Sequence, residues 1–145
     1  MDPVVERSVD LDATPDDVWR TLTEPTELAA WFGPEAELDV QPGGRGRFVD
    51  DDGRVRRAVV DQVHTGERLV LRWWPEDDDP GAGASVVTFV VTPTGSGTRL
   101  VVTERLAAVA SYPSAGLRAA ADAARTAWQW RLDVLLLRVA ALVRV

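Results

Sequence analysis

Residues 14–48 read TPDDVWRTLTEPTELAAWFGPEAELDVQPGGRGRF, and this stretch decides the fold. Thr14 suits an N-cap, Pro15 the first helical position, and Asp16 and Asp17 the positive end of the helix dipole, with Asp17 at the capping-box position. The helix that follows buries Val18 and Leu22, spaced i and i+4. A second short helix starts near Pro25, carries Leu28, Trp31 and Phe32, and stops at Gly33-Pro34. Pro42-Gly43-Gly44 then turns the chain. Two capped helices running into a Gly-Gly turn, with tryptophans on both, shape one half of a grip around an apolar space. Nothing in the stretch supplies a catalytic group.

Working outward, Val4–Leu11 alternates, with Val5, Val9 and Leu11 on one face and Glu6, Ser8 and Asp10 on the other, a half-buried strand. Arg7 falls on the apolar face. Downstream, strands are expected at Glu35–Gln41, Arg47–Val49, Val55–Val63, Leu69–Trp74, Val86–Thr92 and Thr98–Arg105. They are divided by the turn signals Asp51-Asp52-Gly53, Thr65-Gly66, the loop Pro75–Ala84 and Thr94–Gly97. No helix intervenes to make a crossover, so the order is antiparallel. From about Ser114 the pattern is helical. Trp128, Leu132, Leu135, Val139 and Leu142 form one stripe; Ala123, Ala127, Trp130, Val134, Leu137 and Ala141 form a second, roughly opposite. One stripe faces the sheet. The other is covered either by a second copy of the chain, making a homodimer, or by loops.

Composition narrows the function. A chain of 145 residues with 46% hydrophobic and 27% charged residues is one domain with a sizeable core. Six tryptophans against one tyrosine and three phenylalanines suit a cavity wall or a packed core. Cysteine is absent, which excludes disulfides, thiolate catalysis and Cys-based zinc sites. Every basic residue is arginine, so there is no Schiff-base lysine. A net charge of −7 argues against nucleic acid as a partner. No secretory signal is evident, and the apolar C-terminal helix carries Arg131, Asp133, Arg138 and Arg144, too many charges for a membrane span. The expected location is cytoplasmic.

Several phrases resemble a known family: Ala13-x-Pro15-x-x-Val18-Trp19-x-x-Leu22-Thr23-x-Pro25, then Leu28-x-x-Trp31-Phe32. In order after them come Pro42-Gly43-Gly44 with Phe48, Arg68-Leu69-Val70 with Trp73, Gly97-Thr98-Arg99-Leu100, and Trp128-x-x-x-Leu132-x-x-Leu135. Together they resemble the START-like (SRPBCC) superfamily, and more narrowly the branch named after the C-terminal domain of the activator of Hsp90 ATPase. The resemblance covers nearly the whole chain, residues 1–145. It departs at His64-Thr65-Gly66 and at Leu106-Ala107-Ala108. It implies an α+β, helix-grip (START-like, Bet v1-like) fold, a curved antiparallel sheet gripping the long C-terminal helix. Members of the superfamily bind lipids, hormones or polyketides, act as aromatase/cyclases, or serve as co-chaperone domains, so fold alone does not choose a function.

Strand alternation puts Leu69, Leu71 and Trp73 on one face with Val87, Phe89 and Val91, then Leu100, Val102 and Glu104. If these faces point at the C-terminal helix, Trp31, Phe48, Leu71, Trp73, Phe89, Val102, Glu104, Trp128 and Leu132 line a cavity for a flat, largely apolar ligand. The alternative is that these side chains fill the space. Arg7 and Glu104 are the polar exceptions on apolar faces of neighbouring strands, and a buried ion pair between them is expected, either structural or a ligand anchor. His64, the single histidine, lacks an orienting partner. The runs Asp50–Asp52 and Asp77–Asp79 lack calcium-loop spacing and read as solvated turns. Tyr112 is a candidate for the cavity mouth. No metal, cofactor or catalytic residue is expected.

The reading that follows is a noncatalytic binder of a hydrophobic or polyketide-like small molecule. An aromatase/cyclase would have only Glu104, Arg7 and Tyr112 to work with. Sequestration of, or self-sacrifice to, a reactive natural product such as an enediyne is a third reading. A co-chaperone is disfavoured, because the chain leaves no room for the extra N-terminal domain of the eukaryotic activators.

Overall fold

The computed structural model describes residues 3–78, 84–107 and 116–143, with side chains of the last segment described to residue 140. Tyr112, Ser114, Arg144 and Asp79 of the second acidic run lie outside the described residues, as do the side chains of Ala141 and Leu142.

The chain runs β1 (Val4–Leu11), α1 (Pro15–Thr23), α2 (Pro25–Phe32), β2 (Glu35–Leu38), β3 (Arg45–Val49), β4 (Val55–His64), β5 (Arg68–Pro75), β6 (Ser85–Pro93), β7 (Thr98–Arg105) and α3 (Leu117–Val143). Local chemistry sets the two short helices. The Thr14 hydroxyl accepts from the Asp17 backbone N–H at 3.2 Å, with Pro15 behind it. Pro25 opens α2 directly from the end of α1, and the Trp31 indole N–H donates to the Thr21 carbonyl at 2.8 Å, locking the two helices together.

All seven strands pair antiparallel in the order β1-β7-β6-β5-β4-β3-β2. This curled sheet with a long C-terminal helix against it, and two short helices after the first strand, is the helix-grip fold. β2 ends at Leu38, shorter than the sequence suggests, because the turn begins at Asp39: its N–H bonds to the Arg45 carbonyl and its own carbonyl accepts from Gln41. A bulge between Val60 and Gln62 sets β4 against β5. The inner faces carry Val5, Leu11, Phe48, Ala58, Leu71, Trp73, Val87, Phe89, Leu100 and Val102, all buried. Trp128, Leu132, Leu135 and Val139 of α3 close over them, also buried. The second stripe is different: Trp130 is 60% and Leu137 72% exposed. Among the described residues, no helix is long and apolar enough to cross a membrane.

The Pro42-Gly43-Gly44 turn stitches β3 back onto β4 by exchanging bonds with Val60, through Gly43 N–H to the Val60 carbonyl and Val60 N–H to the Gly44 carbonyl. Gly43 has φ of 81°, a conformation L side chains rarely adopt. At Gly44 a Cβ would overlap the Asp39 carbonyl oxygen. We therefore expect Gly44→Ala to lower unfolding stability by more than about 2 kcal/mol, whereas Gly95→Ala, whose Cβ meets nothing, stays within about 0.5 kcal/mol. Urea denaturation of both variants measures the difference; equal midpoints would refute the steric argument.

Candidate functional site

The inner faces of β3, β5 and β6, with α2 and α3, bring aromatic rings from distant parts of the sequence into one cluster. Trp73 and Trp128 stack with centroids 5.7 Å apart and planes 16° apart. Phe32 meets Phe48 at 4.7 Å, Trp73 at 5.8 Å and Trp128 at 5.9 Å, and Phe89 packs edge-on to Trp128 at 5.8 Å. Leu71, Val102 and Leu132 complete the buried layer. Trp31 packs beside Phe32 and is held by Thr21. The residues expected to line a cavity are thus brought together and pack on one another, and of them Glu104 also lines a described cleft.

Glu104 is 4% exposed, on the inner face near the end of β7. Its two carboxylate oxygens accept from the two stacked indoles, Oε2 from Trp73 Nε1 at 2.9 Å and Oε1 from Trp128 Nε1 at 2.8 Å. The expected ion pair with Arg7 is not formed. Arg7 sits across from Val102, one alternation away from Val5, which faces Glu104. Its Nη1 donates to the Glu6 carbonyl at 3.1 Å, and its Nε is buried without a partner among the described residues. Two indole N–H groups satisfy the carboxylate, so the arginine is not required there.

The cation that does enter the core is Arg131, which sequence patterning passed over as a charge against membrane insertion. It is 4% exposed. Its Nη2 donates to Asp50 Oδ1 at 3.0 Å, and its guanidinium lies 4.2 Å from the Phe32 ring centroid and 4.6 Å from that of Trp128. Burial pushes the guanidinium down to about 10, opposed by the charge of Asp50, so it stays a cation at neutral pH. Arg56, on the inner face of β4, lies 4.6 Å over Trp73 and grips both oxygens of Asp50 at 2.7 and 2.6 Å. Asp50 is therefore no solvated turn residue. It ties the β3–β4 turn to β4 and to α3. The spacing carried a signal for Arg131: it stands three residues after Trp128 and four before Leu135, on the buried flank of the helix.

A cleft of about 250 Å³ opens at this end of the fold. Its inner walls are Phe32, Asp50, Arg56, Glu104 and Arg131; its helix wall is Ala120, Ala123, Ala124 and Ala127, with Trp130 at the mouth. A larger groove of about 860 Å³ lies at the opposite end, between α1, α2 and the β6–β7 turn, and carries Asp12, Asp17, Glu24 and Glu27. His64 is exposed at the end of β4.

The helix-grip fold places the protein in the START-like class. A family model for activator of Hsp90 ATPase homolog 1-like protein matches residues 12–136. The chain belongs to that family. Among solved structures, a protein of Mesorhizobium loti is similar at 25% identity and TM-score 0.79, over 96% of this chain and 97% of that one. DynU16, a protein of the dynemicin biosynthetic locus, is similar at 25% identity and TM-score 0.73, over 94% of this chain but 46% of that one. CalU16 of Micromonospora echinospora, 20% identical over 96% of this chain and 85% of that one with TM-score 0.67, shares the fold. A comparison with curated proteins gave no match.

Glu104→Gln replaces one acceptor by an NH₂ donor facing an indole N–H. We expect a loss of about 1–3 kcal/mol, the usual penalty for stranding a buried donor, in urea denaturation. Glu67→Gln, on an exposed turn, serves as the control. An unchanged midpoint for Glu104→Gln would mean that the indole bonds contribute no net stability.

Proposed function

We propose that this protein is a noncatalytic START-like binding domain, over residues 1–145, for a hydrophobic, flat aromatic small molecule of the polyketide kind. The observation that carries this reading is the cleft ending on Phe32, Glu104 and Arg131, where an apolar ring surface adjoins a few fixed polar groups. Binding sites for small molecules have that composition, at volumes of roughly 300–1,000 Å³. At about 250 Å³ the cleft suits a small fused-ring system. The space behind it is filled by the protein's own rings, so a longer ligand enters by displacing Phe32.

The noncatalytic part rests on Glu104. A general base needs an oxygen aimed at the proton it removes; here each oxygen accepts from an indole that ties β7 to β5 or to α3, which supports a structural role for the carboxylate. The likeness to DynU16 supports a second, compatible reading, sequestration of or sacrifice to a reactive natural product such as an enediyne.

A thermal-shift screen with hydrophobic and polyketide-like compounds tests the binding reading. A true ligand raises the midpoint with concentration, by about 2.7 kcal/mol of added stability at one hundred times its dissociation constant. A flat response across the panel would sink the proposal. Sedimentation of the same samples tests whether two copies pair through the exposed Trp130 and Leu137 face; a monomer removes that part. For the resistance reading, incubation with an activated enediyne should cut the chain into discrete fragments, and an intact chain rejects it.

A further inference from the structure

We propose that the cleft between α3 and the β3–β4 turn selects an uncharged, flat aromatic molecule that presents a carbonyl oxygen to Arg131. This rests on the binding reading above and names its site and ligand chemistry.

Three observations carry it. First, a guanidinium has five N–H donors in a fixed fork, and among the described residues the hydrogen bond of Arg131 is the single one to Asp50. The side chain is buried yet lines the cleft. Its other N–H groups belong to the cleft wall, and a ligand that covers them without bringing an acceptor would leave them stranded, which is costly.

Second, the charges buried at the inner end are balanced. Arg56 and Arg131 face Asp50 and Glu104. An added carboxylate would lie beside two carboxylates that already hold their donors, and an added ammonium beside two guanidinium groups. Either would introduce an uncompensated charge into a low-dielectric site. A neutral carbonyl takes the hydrogen bond and leaves the balance intact. Asp51, Asp52 and Arg54 at the rim are exposed, so water and salt screen them.

Third, the helix wall of the cleft is built of small side chains. The four alanines of α3 leave an open strip along the helix, opposite the β3–β4 turn, with Phe32 at the inner end. Replacing any of them with a large side chain would occupy the ring position.

The test uses three matched three-ring compounds with the intact protein: xanthone, xanthene, which lacks the carbonyl, and xanthone-2-carboxylate. Affinities are read by tryptophan quenching and calorimetry. Xanthone is expected to bind at least tenfold more tightly than either of the others. In Arg131→Met the preference for xanthone over xanthene should fall to near one, while xanthene still binds. Ala120→Leu, which fills the cleft with a good helix former, should weaken xanthone at least tenfold and provides a readout even if Arg131→Met fails to fold. Equal binding of xanthone and xanthene, tightest binding of the carboxylate, or an unchanged affinity in Ala120→Leu would each overturn this inference and leave the binding reading standing. Silence of all three xanthene-type compounds while others in the wider panel bind overturns the inference alone. Silence across the whole panel overturns both.

Discussion

One carboxylate fastens the helix to the sheet. Glu104 projects from β7 and takes an indole N–H from Trp73 of β5 on one oxygen and from Trp128 of α3 on the other. A buried carboxylate is tolerable only when its lone pairs are met, so the two rings cannot move independently. They stack, and the phenylalanines of α2, β3 and β6 pack around them. The helix register over the sheet, the position of Phe32 and the limit of the cleft all follow from that pair of bonds.

The second constraint is a buried cation placed to complement the first. Arg131 lies over the face of Trp128, whose edge donates to Glu104. An indole is negative on its face and positive at its edge, so cation above and carboxylate beside polarise the ring in the same sense. Asp50 then compensates Arg131 directly and brings the β3–β4 turn against the helix. The result is an electrically balanced plug at one end of the apolar layer, held by groups from β3–β4, β7 and α3. Few single changes there would be local in effect, because each charged group serves two partners.

Much of the frame was legible from local chemistry. Thr14 and Pro15 marked α1, Pro25 and Gly33 bounded α2, and alternation placed β7 at Thr98–Arg105, where it is found. The family phrases pointed to the helix-grip arrangement, and the alternation assigned Arg7 and Glu104 to the inner face. What failed was partner choice. The donors to Glu104 come from residues 31 positions before it and 24 after it, and period-two patterning does not report which side chains converge from separate elements. Opposite charge suggested Arg7, whereas geometry supplied two indoles. Arg131 was hidden for a related reason: its charge counted against burial, although its spacing from Trp128 and Leu135 put it on the buried flank. Asp50 looked like one more turn aspartate until a helix eighty-one residues away proved to need it.

The sheet order has a consequence for biosynthesis. β1 is the first strand made, yet among the described residues the one strand it pairs with is β7, across a register running from Val4↔Arg105 to Leu11↔Thr98. While the ribosome delivers the intervening strands, β1 has no place to add to, and its apolar side chains Val5, Val9 and Leu11 wait in solvent. The middle strands can zip sequentially as hairpins, but closure of the edge must wait until β7 emerges. Docking of α3 waits longer still, since Glu104 and Trp128 are both late. Such long-range closure slows folding and prolongs the life of unpaired strand edges. The outward charges Glu6 and Asp10 on that waiting strand act as gatekeepers, discouraging pairing with a neighbouring nascent chain before the native partner arrives.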